Sequence, residues 1–455
     1  MQNVKTTRQR NSRSRASKER APELPVVGAL KSILRFAGPA DSVLRHFLRA
    51  HPELGRRDRA EIAETVFDVL RNRRRYAHLA QGGEGPVERR LALLSLALRD
   101  AWPGAGSRSS LPAPSPAERT WLEHCASVDL AGRQRPLSRT RGPVEALALW
   151  SSLPDWIAER WCERLGLESA QSLAESMLQP ARLHLRVNPL KASDPAAIIE
   201  ALRADDIAVR PFPGVPLALE VEGRPALEHS AAFTSGGVEV QDAGSQLLAM
   251  LLGAKRSQTV IDLCAGAGGK TLALAAAMRS LGQIFACDIS AERLRKLRPR
   301  LSRSGATNVQ PFAIDSLSDP KLVRLAGRAD AVLVDAPCTG SGTWRRNPDL
   351  KWRLGPRELE RLIHEQRALL RAAAQLVGAG GVIVYGTCSL LTEENEQQVQ
   401  WFESSFPGFR REPAEATLAA QGVEQAERYC SDGMLSLRPD RHATDGFFGV
   451  RWRAV

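Results

Sequence analysis

Val260-Ile261-Asp262-Leu263-Cys264-Ala265-Gly266-Ala267-Gly268-Gly269-Lys270-Thr271 is the most informative stretch of the chain. Val260 to Leu263 reads as a buried strand. Its glycines let the backbone turn tightly and approach a ligand, and the helix expected over Leu272 to Met278 offers unpaired N–H groups at its start. Further strands alternate with helical stretches at Ile284 to Asp288, Val309 to Ile314, Ala331 to Asp335 and Val382 to Thr387, the signature of a doubly wound parallel sheet. Met434 to Leu437 and Phe447 to Trp452 are expected to close that sheet in antiparallel fashion.

Three ligands compete for the glycine loop. A Walker A loop needs glycine five positions before Gly269, where Cys264 stands, so a nucleoside triphosphate fails on spacing. A dinucleotide fingerprint needs glycine where Thr271 stands, which weakens that reading. A nucleoside-type cofactor without a pyrophosphate remains, such as S-adenosyl-L-methionine.

Ligands of open α/β sheets lie beyond the carboxyl ends of the strands, so the strand-ending residues carry the discrimination. Asp288 follows Gly266 by 22 residues, where a carboxylate accepts both hydroxyls of a ribose. Asp315 closes the third strand, in reach of an adenine amino group. A strand-end Asp often just caps the next helix, which explains any one of these but not all of them in register with a glycine loop. The fourth strand runs into Asp335-Ala336-Pro337-Cys338-Thr339-Gly340-Ser341-Gly342 and the last into Tyr385-Gly386-Thr387-Cys388-Ser389. Cys338 and Cys388 should therefore converge with Asp335 near a methyl donor. Single cysteines are usually inert small core residues, the reading given to the thiols of Cys125, Cys162, Cys264, Cys287 and Cys430.

A thiolate beside a methyl donor suits one reaction well. Carbon 5 of cytosine is a poor nucleophile, but a thiolate added to carbon 6 makes an enamine-like intermediate able to attack a sulfonium methyl. A neighbouring carboxylate helps by hydrogen bonding the exocyclic amine or ring nitrogen, and a base or second thiol must then assist release.

At these residues the sequence resembles the Fmu/Sun/NOP family of RNA 5-methylcytosine methyltransferases, in its bacterial small-subunit rRNA branch. The matching segments are Val240-Gln241-Asp242-Ala243-Gly244-Ser245-Gln246, the Asp262 to Thr271 loop, the two cysteine loops, and Glu393-Glu394-Asn395-Glu396. The resemblance implies a Rossmann-like catalytic domain with Cys388 as the nucleophile on carbon 6 and Cys338 assisting product release. It implies that S-adenosyl-L-methionine lies on Cys264, Ala265, Gly266, Ala267, Gly268, Gly269, Lys270, Asp288, Asp315 and Asp335. Lys270, Arg186, Arg293 and Pro337 are the expected RNA-facing residues, with Arg186 in a Leu-Arg-Val-Asn segment of a small RNA-recognition-like module as a phosphate contact. Competing readings are the same chemistry on tRNA, and a non-catalytic RNA scaffold.

Upstream, apolar residues recur at helical spacing around Val43 to Leu48, Ile62 to Leu70 behind Asp58 as N-cap, and Leu91 to Leu98. These point to an all-helical domain over 25–145, resembling a NusB-like RNA-binding domain with low-complexity insertions at Gly104 to Pro116 and Gly132 to Gly142. A basic tail occupies 1–24, linker helices and the small α/β module 146–240, and the catalytic domain 241–455. Lys and Arg number 63 against 51 Asp and Glu in 455 residues, a net charge of +12 that favours a polyanion such as RNA. Part of that excess reads as solvated surface: the tail, the run Arg71, Arg73, Arg74, Arg75, and Arg295 to Arg303 on one helix. Arg345, Arg346, Lys351 and Arg353 are placed at the substrate entrance, and Trp344 and Trp352 either stack on bases or pack in the core. Apolar runs never approach the 18 or so residues of a spanning helix. Seven cysteines without framework spacing speak for a reducing, cytoplasmic setting, and no zinc-type cluster appears, so neither a membrane nor a metal is expected. A monomer is expected.

Overall fold

The computed structural model describes residues 24–99, 113–134, 142–192 and 194–455. The expected basic tail lies outside the described residues except for Leu24, as do 104–112 and 135–141 of the two expected insertions.

Helices Pro25–Ile33, Ala40–Ala50, Arg56–Arg71, Arg73–Leu79, Val87–Arg99 and Pro116–Gln134 build the N-terminal domain. Their apolar stripes meet in a core that includes Leu30, Ile62, Val66, Leu70, Tyr76, Leu93 and Leu94. Asp58 is not the N-cap of its helix. The helix begins at Arg56, and Asp58 reaches back from its third position to accept the Gly55 N–H at 3.1 Å. Helices Pro143–Trp150, Asp155–Leu165 and Leu167–Met177 lead into a four-stranded antiparallel sheet. Its strands are β1 (Leu183–Val187), β2 (Val209–Pro211), β3 (Ala218–Val221) and β4 (Val238–Val240), in the order β2-β3-β1-β4. Helix Pro195–Ala204, capped by the Asp194 carboxylate on the Ala196 N–H, covers it through Ile198 and Leu202.

The catalytic sheet contains β5 (Thr259–Asp262), β6 (Gln283–Asp288), β7 (Val309–Ala313), β8 (Ala329–Asp335), β9 (Val377–Thr387), β10 (Phe409–Glu412), β11 (Cys430–Ser431), β12 (Met434–Leu437) and β13 (Phe447–Ala454). The order is β11-β12-β13-β9-β8-β5-β6-β7, with β10 pairing β13. Strands β5 to β9 are parallel, and β13 enters antiparallel beside β9, as the sequence pattern predicts. Gly386 and Gly449 face each other across that pair because Leu248 lies directly over them; a Cβ on Gly386 would come within 2.5 Å of its side chain.

The helical domain docks on the segment that follows the Pro337-Cys338 loop. The last carbonyls of a helix lack internal partners, and here the catalytic domain supplies them: Trp352 Nε1 donates to Leu70 O at 2.7 Å and Lys351 Nζ to Arg71 O at 2.7 Å. Arg71 in turn donates to Arg345 O at 3.1 Å, and the Ala40 N–H donates to the Asp349 carboxylate at 3.2 Å. This corrects two expectations. Of the run Arg71 to Arg75, Arg71 and Arg75 are buried, Arg73 lies over the Phe36 and Trp352 rings, and Arg74 binds Leu153 O and Asp155. Lys351 is enclosed, and Arg345 and Arg346 are paired with Asp445, so these do not line a substrate entrance. Trp344 stacks on Trp161 at 5.8 Å inside the core. Because Trp352→Phe removes the indole donor and part of the ring under Arg73 while keeping an aromatic face, it should cost about 1 kcal/mol or more of helical-domain docking. A lowered midpoint for the first unfolding transition checks this, and an unchanged midpoint counts against it.

Candidate active site

The strand ends of the parallel sheet enclose a cleft of about 630 Å³. Its floor is the glycine loop from Leu263 to Lys270, its far wall Asp288 and Ile289, and its near wall Asp335 and Pro337. Gly266 has φ +56° and Gly268 φ +81°, conformations a side chain adopts only under strain. No atom lies within 4 Å of where a Cβ on Gly266 or Gly269 would stand, so the loop presents bare backbone to the cleft. Gly268 faces the other way, against Leu297, and does not line it. Asp288 shapes the turn, accepting the Gly266 N–H at 2.8 Å and the Ser290 N–H at 2.7 Å, with lone pairs left for a ligand. Arg300 holds the loop from outside by donating to Ala267 O at 2.7 Å, and is itself tied to the buried Glu239 of β4.

Asp315 is exposed and its neighbours Ile314 and Ser316 line the cleft in its place. Arg186 is a correction: it is enclosed beside Glu239 and Arg300, only 4% exposed, so it is no phosphate contact. Burial holds its guanidinium below the ordinary value, to about 10. Arg293 and Lys296 stand at the rim. Sequence reasoning missed the apolar walls Ile289, Ile314, Leu317 and Leu369, and the carboxylate of Glu365. Ile289 is 68% exposed, an unusual place for isoleucine, and its position straight after a strand-end Asp was the available signal.

At the near wall Lys270 Nζ meets the Asp335 carboxylate at 2.7 Å and lies 5.4 Å from the centre of the Phe447 ring. Burial works against the ammonium, but Asp335 outweighs it and holds Lys270 above its ordinary range. Beyond Asp335 and Pro337, Cys338 and Cys388 bring their sulfurs to 3.4 Å, both half-buried. The hydrogen bond Cys338 makes to Cys388, burial and the charges of Cys388 and nearby Glu394 together push the Cys338 thiol well up. Glu394 braces this loop: its carboxylate accepts the Thr339 N–H at 2.8 Å, the Thr339 hydroxyl at 2.5 Å and Gln366 Nε2 at 3.0 Å. Asn395 braces the other, accepting the Thr387 hydroxyl at 2.6 Å and donating to Ser389 O at 3.0 Å.

A parallel α/β sheet with a glycine-loop cleft, a ribose-ready carboxylate and two adjoining thiols defines a methyltransferase of the Rossmann-like class. Residues 249–453 match the family described as 16S rRNA methyltransferase RsmB/F, and residues 153–228 the ferredoxin-like domain of RsmF/B-like methyltransferases. The chain is 32% identical over 435 residues to a Synechocystis sp. protein named probable ribosomal RNA small subunit methyltransferase B, covering 92% of this chain and 96% of that one. It is 33% identical over 442 residues to ribosomal RNA small subunit methyltransferase B of Thermus thermophilus, covering 95% and 98%. The crystal structure of PH0851 is similar with a TM-score of 0.74 at 27% identity, over 94% of this chain and 97% of that one. The chain belongs to the RsmB/F family of 16S rRNA methyltransferases. Among the described residues, no helix is long and apolar enough to cross a membrane and no side-chain cluster has metal-binding form.

Two expected outcomes test the loop. Gly268→Ala drives a Cβ to about 2.1 Å from Leu297 and strains a left-handed backbone, so affinity for S-adenosyl-L-methionine, measured by calorimetry, should fall about tenfold or more. Asp262 lies beneath the loop, accepting the Thr271 hydroxyl at 2.6 Å; burial, then the Asp335 and Asp288 charges, push it up to about 7. The native chain thus keeps this proton to higher pH than the unfolded chain does. The resulting stability is complete below about pH 4 and fades as pH rises through 7, a loss of up to about 4 kcal/mol. Asp262→Asn removes that loss, so denaturation midpoints should shift in the variant's favour between pH 5 and 8, whereas a pH-independent offset contradicts the assignment.

Proposed function

We propose that the protein methylates carbon 5 of a cytosine in small-subunit rRNA, with S-adenosyl-L-methionine as donor. The observation that carries the reading is the 3.4 Å approach of two thiols beside a cleft-lining carboxylate. The cleft fits the cofactor: bare loop backbone at Gly266 and Gly269, free acceptor capacity on Asp288, and the apolar surfaces of Ile289, Ile314 and Leu317 suit a ribose and an adenine. When bound, the cofactor supplies an electrophilic methyl group on a sulfonium.

The chain's own residues perform the rest. Cys388 Sγ adds as the thiolate to carbon 6 of the ring, and the electron pair displaced from the 5,6 double bond forms the new bond from carbon 5 to the methyl group, whose bond to the sulfonium would break with its electron pair going to that sulfur. Asp335 hydrogen bonds the exocyclic amine or protonated ring nitrogen as charge develops, and Lys270 fixes its orientation. Water takes the carbon 5 proton, its C–H electron pair re-forms the double bond, and the bond from carbon 6 to Cys388 breaks with the electron pair returning to sulfur, while Cys338 assists that release by hydrogen bonding the departing sulfur. An unstacked base is required to reach sulfurs at this depth, which suits RNA in a loop or an exposed strand. Arg293, Arg295, Lys296 and Arg298 are exposed on the helix Ala291–Ser304 that starts at the cleft, and this face, with Pro337 and Lys270 at the pocket, is the proposed path of the RNA.

Cys338→Ala should accumulate a covalent RNA adduct, seen as a retarded band on a denaturing gel, whereas Cys388→Ala should form none. The reverse pattern exchanges the two roles. Labelled methyl groups should enter small-subunit rRNA lacking this modification and appear as 5-methylcytosine. Incorporation into tRNA alone would redirect the substrate, and none into any RNA would leave a binding scaffold.

A further inference from the structure

Two identical side chains 3.4 Å apart compete for one negative charge, yet only one can add to the ring while the other keeps its proton. The surroundings of the pair are asymmetric. Glu394 reaches both loops, through Thr339 beside Cys338 and Ser389 beside Cys388, but only on the Cys338 side do it and Gln366 hold the peptide groups after and before the cysteine. Glu394 accepts the Thr339 N–H at 2.8 Å, and Gln366 Nε2 donates both to Pro337 O and to Glu394 at 3.0 Å. The Glu394 side chain is fully enclosed; burial raises its carboxyl above the ordinary range, and the donors from Ser389, Thr339 and Gln366 offset part of that cost. The Tyr385 hydroxyl donates to the Glu394 carbonyl at 2.6 Å and adds no charge. On the Cys388 side the nearby charged pair is Lys270 with Asp335, whose ammonium lies close to Phe447; the next residue, Phe448, pairs with Thr387, immediately before Cys388. Lys270 is within electrostatic reach of Cys388, and Glu394 within reach of Cys338.

We propose that Glu394 is a positioning residue that sorts the two thiols: its enclosed charge keeps Cys338 protonated, so the nucleophilic charge settles on Cys388 beside Lys270. The proposal rests on the reading of Cys388 as the adding thiol and supplies a cause for it. Cys338 is then held as an acid, able to protonate or hydrogen bond the departing Cys388 sulfur, and the same carboxylate fixes its loop.

The test needs neither RNA nor cofactor. The full chain is exposed near neutral pH to limiting iodoacetamide, and alkylation of each cysteine is followed by peptide mass spectrometry. Cys388 should react about tenfold faster than Cys338, since a thiolate alkylates and a thiol does not. Glu394→Gln keeps an acceptor for the Thr339 N–H but removes the charge, and should narrow that ratio about fivefold or more through a gain at Cys338. Glu394→Asp keeps the charge and should keep the preference for Cys388. A folded Glu394→Gln chain with the wild-type ratio overturns the proposal. Should that variant not fold, Lys270→Met decides: alkylation of Cys388 must slow, and an unchanged rate overturns the sorting. Wild-type alkylation that falls first on Cys338 overturns both the role assignment and the sorting. An intact ratio shift alongside absent methyl transfer overturns the methylation reading alone.

Discussion

The active site depends on a set of buried hydrogen bonds that bolt two loops together. Strands β8 and β9 are parallel neighbours, so their carboxyl ends emerge about 5 Å apart and the loops beyond them would otherwise diverge. They are held by direct and bridging contacts. The Gly342 N–H donates to Cys388 O at 2.9 Å, the Leu390 N–H to Ser341 Oγ at 2.8 Å, and the Ser341 and Ser389 hydroxyls meet at 3.1 Å. Glu394 and Asn395, from the short helical turn after β9, then close the network from behind. Every partner except the half-buried Cys388 is enclosed, where an unmade hydrogen bond costs far more than a made one yields, so the loops favour one arrangement.

Much of the chain's positive charge serves the interior. Arg345 and Arg346 meet Asp445, Arg346 also meets Asp242, and Asp242 accepts from His184 of β1 if that imidazole carries its proton on Nδ1. Arg300 and Arg303 share Glu239. Such pairs join segments far apart in sequence, and each carboxylate offsets part of the positive charge that would otherwise face RNA. The basic face that remains near the cleft is narrow, one side of helix Ala291–Ser304, which also carries Leu294 and Leu297 against the sheet.

The five parallel strands, the antiparallel closure and both cysteine loops were legible because each depends on local pattern: apolar runs of strand length, glycines after the first strand, and a carboxylate or thiol at each strand end. Met434–Leu437 falls where the alternation places it. What was not legible depends on contacts across the fold. Nothing local marks Arg71 as buried rather than solvated, since its burial requires the Arg345 carbonyl 274 residues away. Arg186 misled for the same reason, because an alternating strand does not say which face a partner domain covers. Asp58 was misplaced by one turn because glycine at the true N-cap has no side chain to signal the start.

Each of the three modules contributes to one cleft, which gives their fixed arrangement a purpose. The small antiparallel sheet, through Glu239 and Arg300, holds the Ala267 carbonyl of the cofactor loop. The helical domain, through Leu70 and Arg71, holds Lys351 and Trp352, a short stretch beyond the loop that carries Cys338. Each module thereby fixes a segment at one wall of the site, the cofactor loop in one case and the stretch after the thiol loop in the other. Both connections run through N–H donors to backbone carbonyls, the Arg300 guanidinium in one case and the Lys351 amine and Trp352 indole in the other, hydrogen bonds that are short and directional.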